Sequence, residues 1–191
     1  MSKNKFFSLV FILLAWLASG SAIAADWSAA FNEKVGGIYI VNAFTRDASG
    51  NLYLTGNATT SIAMGSSEVP LIGSQDAFVV KLDAAGTVMW LKNFGGVGAQ
   101  TYGNGIAVDG TGNVYLGGWF RNAHLTTPAM TKIGTYDAFA IKLDSSGNTT
   151  WAKNFGGAGA QASANSIAVD GSSGNVYLGG GSGLPTSPPR R

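Results

Sequence analysis

From Asp76 to Asp83 the chain alternates bulky and small side chains, with Phe78, Val80 and Leu82 at one parity and Ala77, Val79 and Lys81 at the other. Residues 137–144 repeat the pattern, Phe139, Ile141 and Leu143 against Ala138, Ala140 and Lys142. A period of two places successive side chains on opposite faces, so both runs predict β-strands with one large apolar face and one small face. Such a sheet can stack between two similar sheets, as a propeller blade must. Trp90-x-x-x-Phe94 and Trp151-x-x-x-Phe155 also fit one helix face. The β-favouring Thr149-Thr150 before the second copy and Gly156-Gly157 after it argue for strand.

These runs belong to an internal repeat of about 61 residues. DAFVVKLD at 76–83 returns as DAFAIKLD at 137–144, and WLKNFGG at 90–96 as WAKNFGG at 151–157. GIAVDGTGNVYLGG at 105–118 returns at 166–180 with one inserted residue, and a weaker copy starts at Ala43. Each unit holds four strand candidates, a to d. Strands a and b meet at Asp47…Gly50, Asp109…Gly112 and Asp170…Gly174, and strands c and d at Asp83…Gly86 and Asp144…Gly147. An Asp carboxylate accepts turn amides and Gly takes positive φ, so these are hairpin signatures. Trp27, Trp90, Trp151, Phe94 and Phe155 are expected to be packing anchors, with Trp27 and Phe31 opening the chain in mid-repeat.

The segment GIAVD-x-x-GNVYLGG, followed by DAF-x-x-KLD-x-x-G and W-x-KNFGG, resembles the SBBP family of bacterial β-propeller repeats over about 43–180. Its first portion is also similar to NHL repeats. The resemblance implies an all-β, propeller-like array of four-stranded antiparallel blades in exported or surface proteins, with no shared catalytic residue set. The strand count gives fewer than three blades, whereas closed propellers carry four to eight. A piece of a longer propeller is favoured over an open array or a ring closed between chains.

Lys3 and Lys5, the apolar run 6–18 and Ala22-Ile23-Ala24 read as a signal peptide over residues 1–24, since the run is shorter than the roughly 20 residues a membrane-spanning helix needs. The repeat region is placed at 25–180 and a Gly/Pro-rich tail at 181–191. Cleavage would leave ten basic and ten acidic residues, with no basic stripe for nucleic acid and no stable membrane span. The protein is expected in the periplasm, at the cell surface or outside the cell.

Mean hydropathy of +0.17 and 46% apolar residues exclude a disordered tail. No Cys and one His exclude thiol chemistry, Cys-ligated metals and multi-histidine sites, and no cofactor or metal is expected. Each Asp-x-x-Gly-Asn turn offers one carboxylate, too few for the six to eight oxygens of calcium, so Asp47, Asp83, Asp109, Asp144 and Asp170 with Gly50, Gly112 and Gly174 are assigned to turns. Gly95-Gly96-Val97-Gly98 and Gly156-Gly157-Ala158-Gly159 complete no phosphate-binding motif and read as connectors between blades. Asp26, Glu33 and Glu68 are the unrepeated carboxylates and show no acid/base pairing.

The diverged stretches 57–75 and 121–136, between strands b and c, are expected to present loops that carry selectivity. Their candidate binding residues are Glu68, Arg121, His124, Lys132 and Tyr136, with a protein or carbohydrate as ligand. Two alternatives stand beside this non-enzymatic scaffold. One is a hydrolase or lyase using Glu68, Asp76 or His124 at a blade interface; the other is a structural module that associates with itself.

Overall fold

The structure is a computed structural model and describes residues 39–183. Trp27, Phe31, Asp26, Glu33, the expected signal peptide and most of the expected tail lie outside the described residues. Among the described residues there are only strands and turns, and no helix is long and apolar enough to cross a membrane.

The first blade is a four-stranded antiparallel meander of β1 (Tyr39–Arg46), β2 (Leu52–Ala58), β5 (Asp76–Leu82) and β6 (Val88–Phe94). Between its second and third strands a short hairpin forms from β3 (Ile62–Met64) and β4 (Ser67–Val69). The second blade repeats the plan with β7 (Gln100–Val108), β8 (Val114–Arg121), β11 (Tyr136–Leu143) and β12 (Thr149–Phe155). Its short hairpin is β9 (Leu125–Thr126) and β10 (Ala129–Met130), turning at a cis Thr127–Pro128 peptide. β13 (Gln161–Val169) and β14 (Val176–Gly183) supply strands a and b of a third unit. β14 runs on to Gly183, past the end expected for the repeat region at residue 180. The stretches expected as free loops are therefore partly hairpins, because Ile62, Met64, Leu125 and Met130 bury their side chains in the core.

The two parities of strand c separate into different cores. Phe139, Ile141 and Leu143 of the second blade pack with Ala77 and Val79 of the first in one cluster. Phe78, Val80 and Leu82 lie in another, on the first blade's opposite face. Large side chains of one blade thus fill the space left by small side chains of its neighbour, which is how stacked sheets reach interior density.

Polar contacts fix the stacking. Strand a of each unit carries a β-bulge at an Asn, and Asn42 Nδ2 donates to Gly103 O at 2.9 Å while Asn104 Nδ2 donates to Ala164 O at 3.0 Å. The first two bulges therefore tie their strands to strand a of the next unit. The connector from strand d turns through Gly98 at φ 76° or Gly159 at φ 71°, values that favour glycine. It then meets the start of strand c, where Gln75 pairs in parallel with Gln100 and Tyr136 with Gln161.

Candidate functional site

The second blade carries an aromatic and cationic cluster that the other units lack among the described residues. Tyr102 on β7 and Trp119 on β8 are register partners whose rings stack at 4.0 Å with a 12° interplanar angle. Trp119 also meets Tyr136 of β11 at 5.2 Å. Arg121 lies over both rings, 5.7 Å from the Trp119 centroid and 5.6 Å from that of Tyr136, within cation–π range. Its Nε donates to Gln100 Oε1 at 2.7 Å and its guanidinium to the Tyr136 hydroxyl at 3.4 Å. All five side chains are half-buried, so the packed cluster still meets solvent.

Strand register shows how local this cluster is. The position of the Tyr102–Trp119 pair is held by Ile40 and Asn57 in the first blade and by Ser163 and Gly181 in the third unit. Arg121 and Tyr136, expected from sequence as separate candidates, are register partners here. Trp119, Tyr102 and Gln100 were not among the expected site residues because they sit inside repeated strands. The signal that finds them is departure from the repeat at a position the register equates.

The remaining candidates lie elsewhere. His124 is exposed, and its Nδ1 accepts the Lys132 amide at 2.8 Å; the Lys132 ammonium donates to Gly134 O. Glu68 is exposed on β4 of the first blade. Asp76 is fully buried, accepting from the amides of Ile72 and Gly73 and from Asn93 Nδ2 at 2.7–2.9 Å. Asp137 repeats this node with Ile133, Gly134 and Asn154. Among the described residues no hydrogen bond or ion pair joins Glu68, Asp76 and His124, and no three His, Cys, Asp or Glu side chains form a metal-binding group.

The turn carboxylates are held by their own loops. Asp109 accepts from Thr111, Asn113 and the Tyr115 hydroxyl, and Asp47 from Asn51 and the Tyr53 hydroxyl. Burial acts to raise both carboxyls, but the donors outweigh it and both titrate below the usual carboxylate value. Asp144 is lowered by Asn148 and neighbouring amides, and Asp170 by Ser172 and Ser173. Burial, then the Asp47 and Asp109 charges, pushes the Tyr53 phenol up. Asp83 accepts from the Ala85 and Thr87 amides, and Gly50, Gly112 and Gly174 all take positive φ in their turns.

Trp90 and Trp151 end a row that crosses each blade on its small face. Tyr53, Lys81 and Trp90 are in register, as are Tyr115, Lys142 and Trp151. The ammonium groups lie 5.3 and 5.2 Å from the Tyr53 and Tyr115 rings. Phe94 is buried at 2% exposure, whereas Phe155 is 47% exposed. Leu125 and Met130 of the next short hairpin join Phe94 in the core, and among the described residues Phe155 has no such cover.

Blades of four antiparallel strands, stacked large face on small face and repeated in sequence, are the setting for the family comparison. Residues 90–119 match the SBBP family, a beta-propeller repeat. The SBBP match runs from strand d of the first blade through strands a and b of the second, so it straddles the junction between blades. A second similarity, 25% identity over 124 residues, is to an uncharacterized WD repeat-containing protein of Acanthamoeba polyphaga mimivirus. It covers 56% of this chain and 9% of that protein, so the chain spans about a tenth of the relative's length. The match to a beta-propeller repeat and the all-β blades together describe a propeller-type repeat scaffold.

Proposed function

We propose that the protein is an exported, non-enzymatic binding scaffold whose second blade takes a protein or carbohydrate ligand at Trp119, Arg121 and Tyr136. The observation that carries this reading is the confinement of the stacked Tyr102–Trp119 pair and the overlying Arg121 to one of three equivalent positions. Packing that served only the repeat would recur with it. Aromatic faces offer area at little entropic cost, and Arg adds directed donors, a combination enriched where binding energy concentrates. Export is supported by the charged head and short apolar run of residues 1–24. The exposed His124 and Glu68 lie on the two b–c segments and would extend the surface a ligand meets.

The test is a ligand screen of the full chain against glycan and protein panels, repeated with Trp119→Ala and Arg121→Ala. Loss of the captured ligand by at least about tenfold in both variants, with unchanged thermal unfolding of the scaffold, is the expected result. Retention of full affinity by both would move the site away from this cluster. Cell fractionation with and without residues 2–24 tests export independently.

A further inference from the structure

Polar side chains form a continuous row at the end of the second blade where its strands meet the connectors. Gln100 pairs in register with Arg121, Arg121 with Tyr136 and Tyr136 with Gln161, so the row crosses β7, β8, β11 and β13. Register partners project to the same face, and the Tyr102–Trp119 pair lies on that face two residues further along its strands. The polar row therefore borders an aromatic floor. Residues 122–135 leave and return at the Arg121–Tyr136 pair, which brings a second cation, Lys132, to the same end.

Charge is distributed unevenly between the two ends of these strands. Asp109 and Asp144 sit in the hairpin turns at the far end, and Val114 and Arg121, the two ends of β8, are seven residue steps apart. At about 3.3 Å per step that is roughly 23 Å, well beyond the screening length of about 8 Å in physiological salt. Asp137, next to Tyr136 in the chain, is fully buried and accepts from Ile133, Gly134 and Asn154. Glu68 belongs to the short hairpin of the first blade. Arg121 accordingly has neutral partners alone among the described residues, Gln100 through Nε and the Tyr136 hydroxyl through Nη1. A guanidinium carries five N–H donors, so three remain, at least one on each terminal nitrogen, and that pair is the fork that grips a carboxylate.

We propose, resting on the binding reading above, that this end of the second blade takes an acidic polysaccharide, with Arg121 gripping a uronate carboxylate and Gln100 and Gln161 meeting hydroxyls on either side. Side-chain amides both donate and accept, as sugar hydroxyls do. Gln100 Oε1 is taken by Arg121, which leaves its amide nitrogen to donate, and Gln161 is exposed. The half-buried rings of Trp119 and Tyr136 offer apolar surface to the C–H face of a sugar ring. From Gln100 to Gln161 the row crosses three strand spacings of about 4.8 Å each, so a chain of sugars matches its length better than one ring does. A peptide fits less well, because β8 and β11 are each bonded on both edges and offer no main-chain pairing to an added strand.

The experiment is isothermal titration calorimetry of the full chain with hexamers of galacturonic acid and of mannuronic acid, beside the same hexamers methyl-esterified at their carboxyls and a glutamate hexapeptide. Saturable binding of at least one free acid is expected, weakened at least about tenfold by esterification and by Arg121→Gln. Arg121→Lys keeps the charge without the fork, and its affinity should fall between those of the parent and Arg121→Gln. Lys153→Gln removes an exposed cation on β12 and should bind as the parent does. Equal binding of the esters overturns the carboxylate grip. A hexapeptide that binds as tightly as the acid and is lost with Arg121→Gln overturns the proposal too, by assigning the site to an acidic protein. So does the absence of binding by both acids, or binding that Arg121→Gln leaves unchanged. If the acids fail while the glycan and protein panels still yield a ligand lost in Trp119→Ala and Arg121→Ala, the broader binding reading stands and the acidic polysaccharide alone is excluded.

Discussion

Gly95 lies so close to Asp76 that a methyl group built on it would sit 1.9 Å from Asp76 Oδ1. Gly156 stands in the same relation to Asp137, at 2.1 Å. The first glycine after each Trp-x-Lys-Asn-Phe strand is therefore fixed by the carboxylate that opens strand c, and not by turn geometry. Gly95→Ala should destabilise the protein by roughly 1–3 kcal/mol, as overpacking against a buried, hydrogen-bonded group does. Gly157→Ala is the control, because its methyl would meet only the Ala160 side chain at 3.6 Å. Urea unfolding of the two variants should show a lowered midpoint for the first and little change for the second.

The carboxylate itself closes each blade by gathering strand d and the b–c segment onto the start of strand c. Asp137 receives two amides and Asn154, while Asn154 also donates to Thr131 O at 2.8 Å. Asp137→Ala would leave those donors without an acceptor and should cost about 3 kcal/mol, since a buried unmet donor loses more than the net worth of its bond. Asp137→Asn retains one accepting oxygen and should cost less. Equal losses in the two variants, measured by chemical denaturation, would show that the charge and not the bonding pattern matters.

Alternation and turn chemistry made the blades legible, because Phe139, Ile141 and Leu143 carry a period of two and Asp144…Gly147 closes the hairpin to the next strand. The short hairpins were less visible. Ile62, Met64, Leu125 and Met130 are spaced irregularly across diverged segments, and strands of two or three residues carry too few positions for a period to show. The Tyr102–Trp119 stack was hidden for another reason. Each residue alone fits a strand, and only the register that sets Trp119 opposite Tyr102, with Asn57 and Gly181 in the equivalent places, marks the pair as local to one blade. Arg121 and Tyr136 were visible because they fall where the repeat itself breaks.

Thr101 is fully buried where the first two blades meet, and its hydroxyl has no hydrogen-bond partner, while its amide donates to Gln75 O at 2.9 Å. A buried hydroxyl without a partner costs free energy that an apolar group of the same shape does not. Thr101→Val keeps the β-branched shape and the backbone bond, and should raise stability by about 1 kcal/mol. Thermal unfolding with calorimetry reads this directly. A lowered midpoint would mean that the hydroxyl is bonded in solution, for instance through a buried water.

The a–b turns should make the fold sensitive to acid. Asp47 and Asp109 titrate below the usual carboxylate value of 3.8 in the folded chain, despite burial that acts the other way, because Asn, Thr and Tyr donors favour their ionised forms. The unfolded chain regains the ordinary affinity for protons. Between the unfolded and folded values it therefore binds more protons than the folded chain, and stability falls as pH drops through that interval. The contribution is fully present above about pH 5 and is progressively lost below about pH 4. Asp109→Asn removes one such group, so the variant should be less stable than the parent at neutral pH and the difference should shrink as the solution is acidified. Urea midpoints for both chains at about pH 7, 4 and 2 test this. A gap that stays constant across the series would mean that Asp109 holds its turn equally well when protonated, and that acid sensitivity arises elsewhere in the blades.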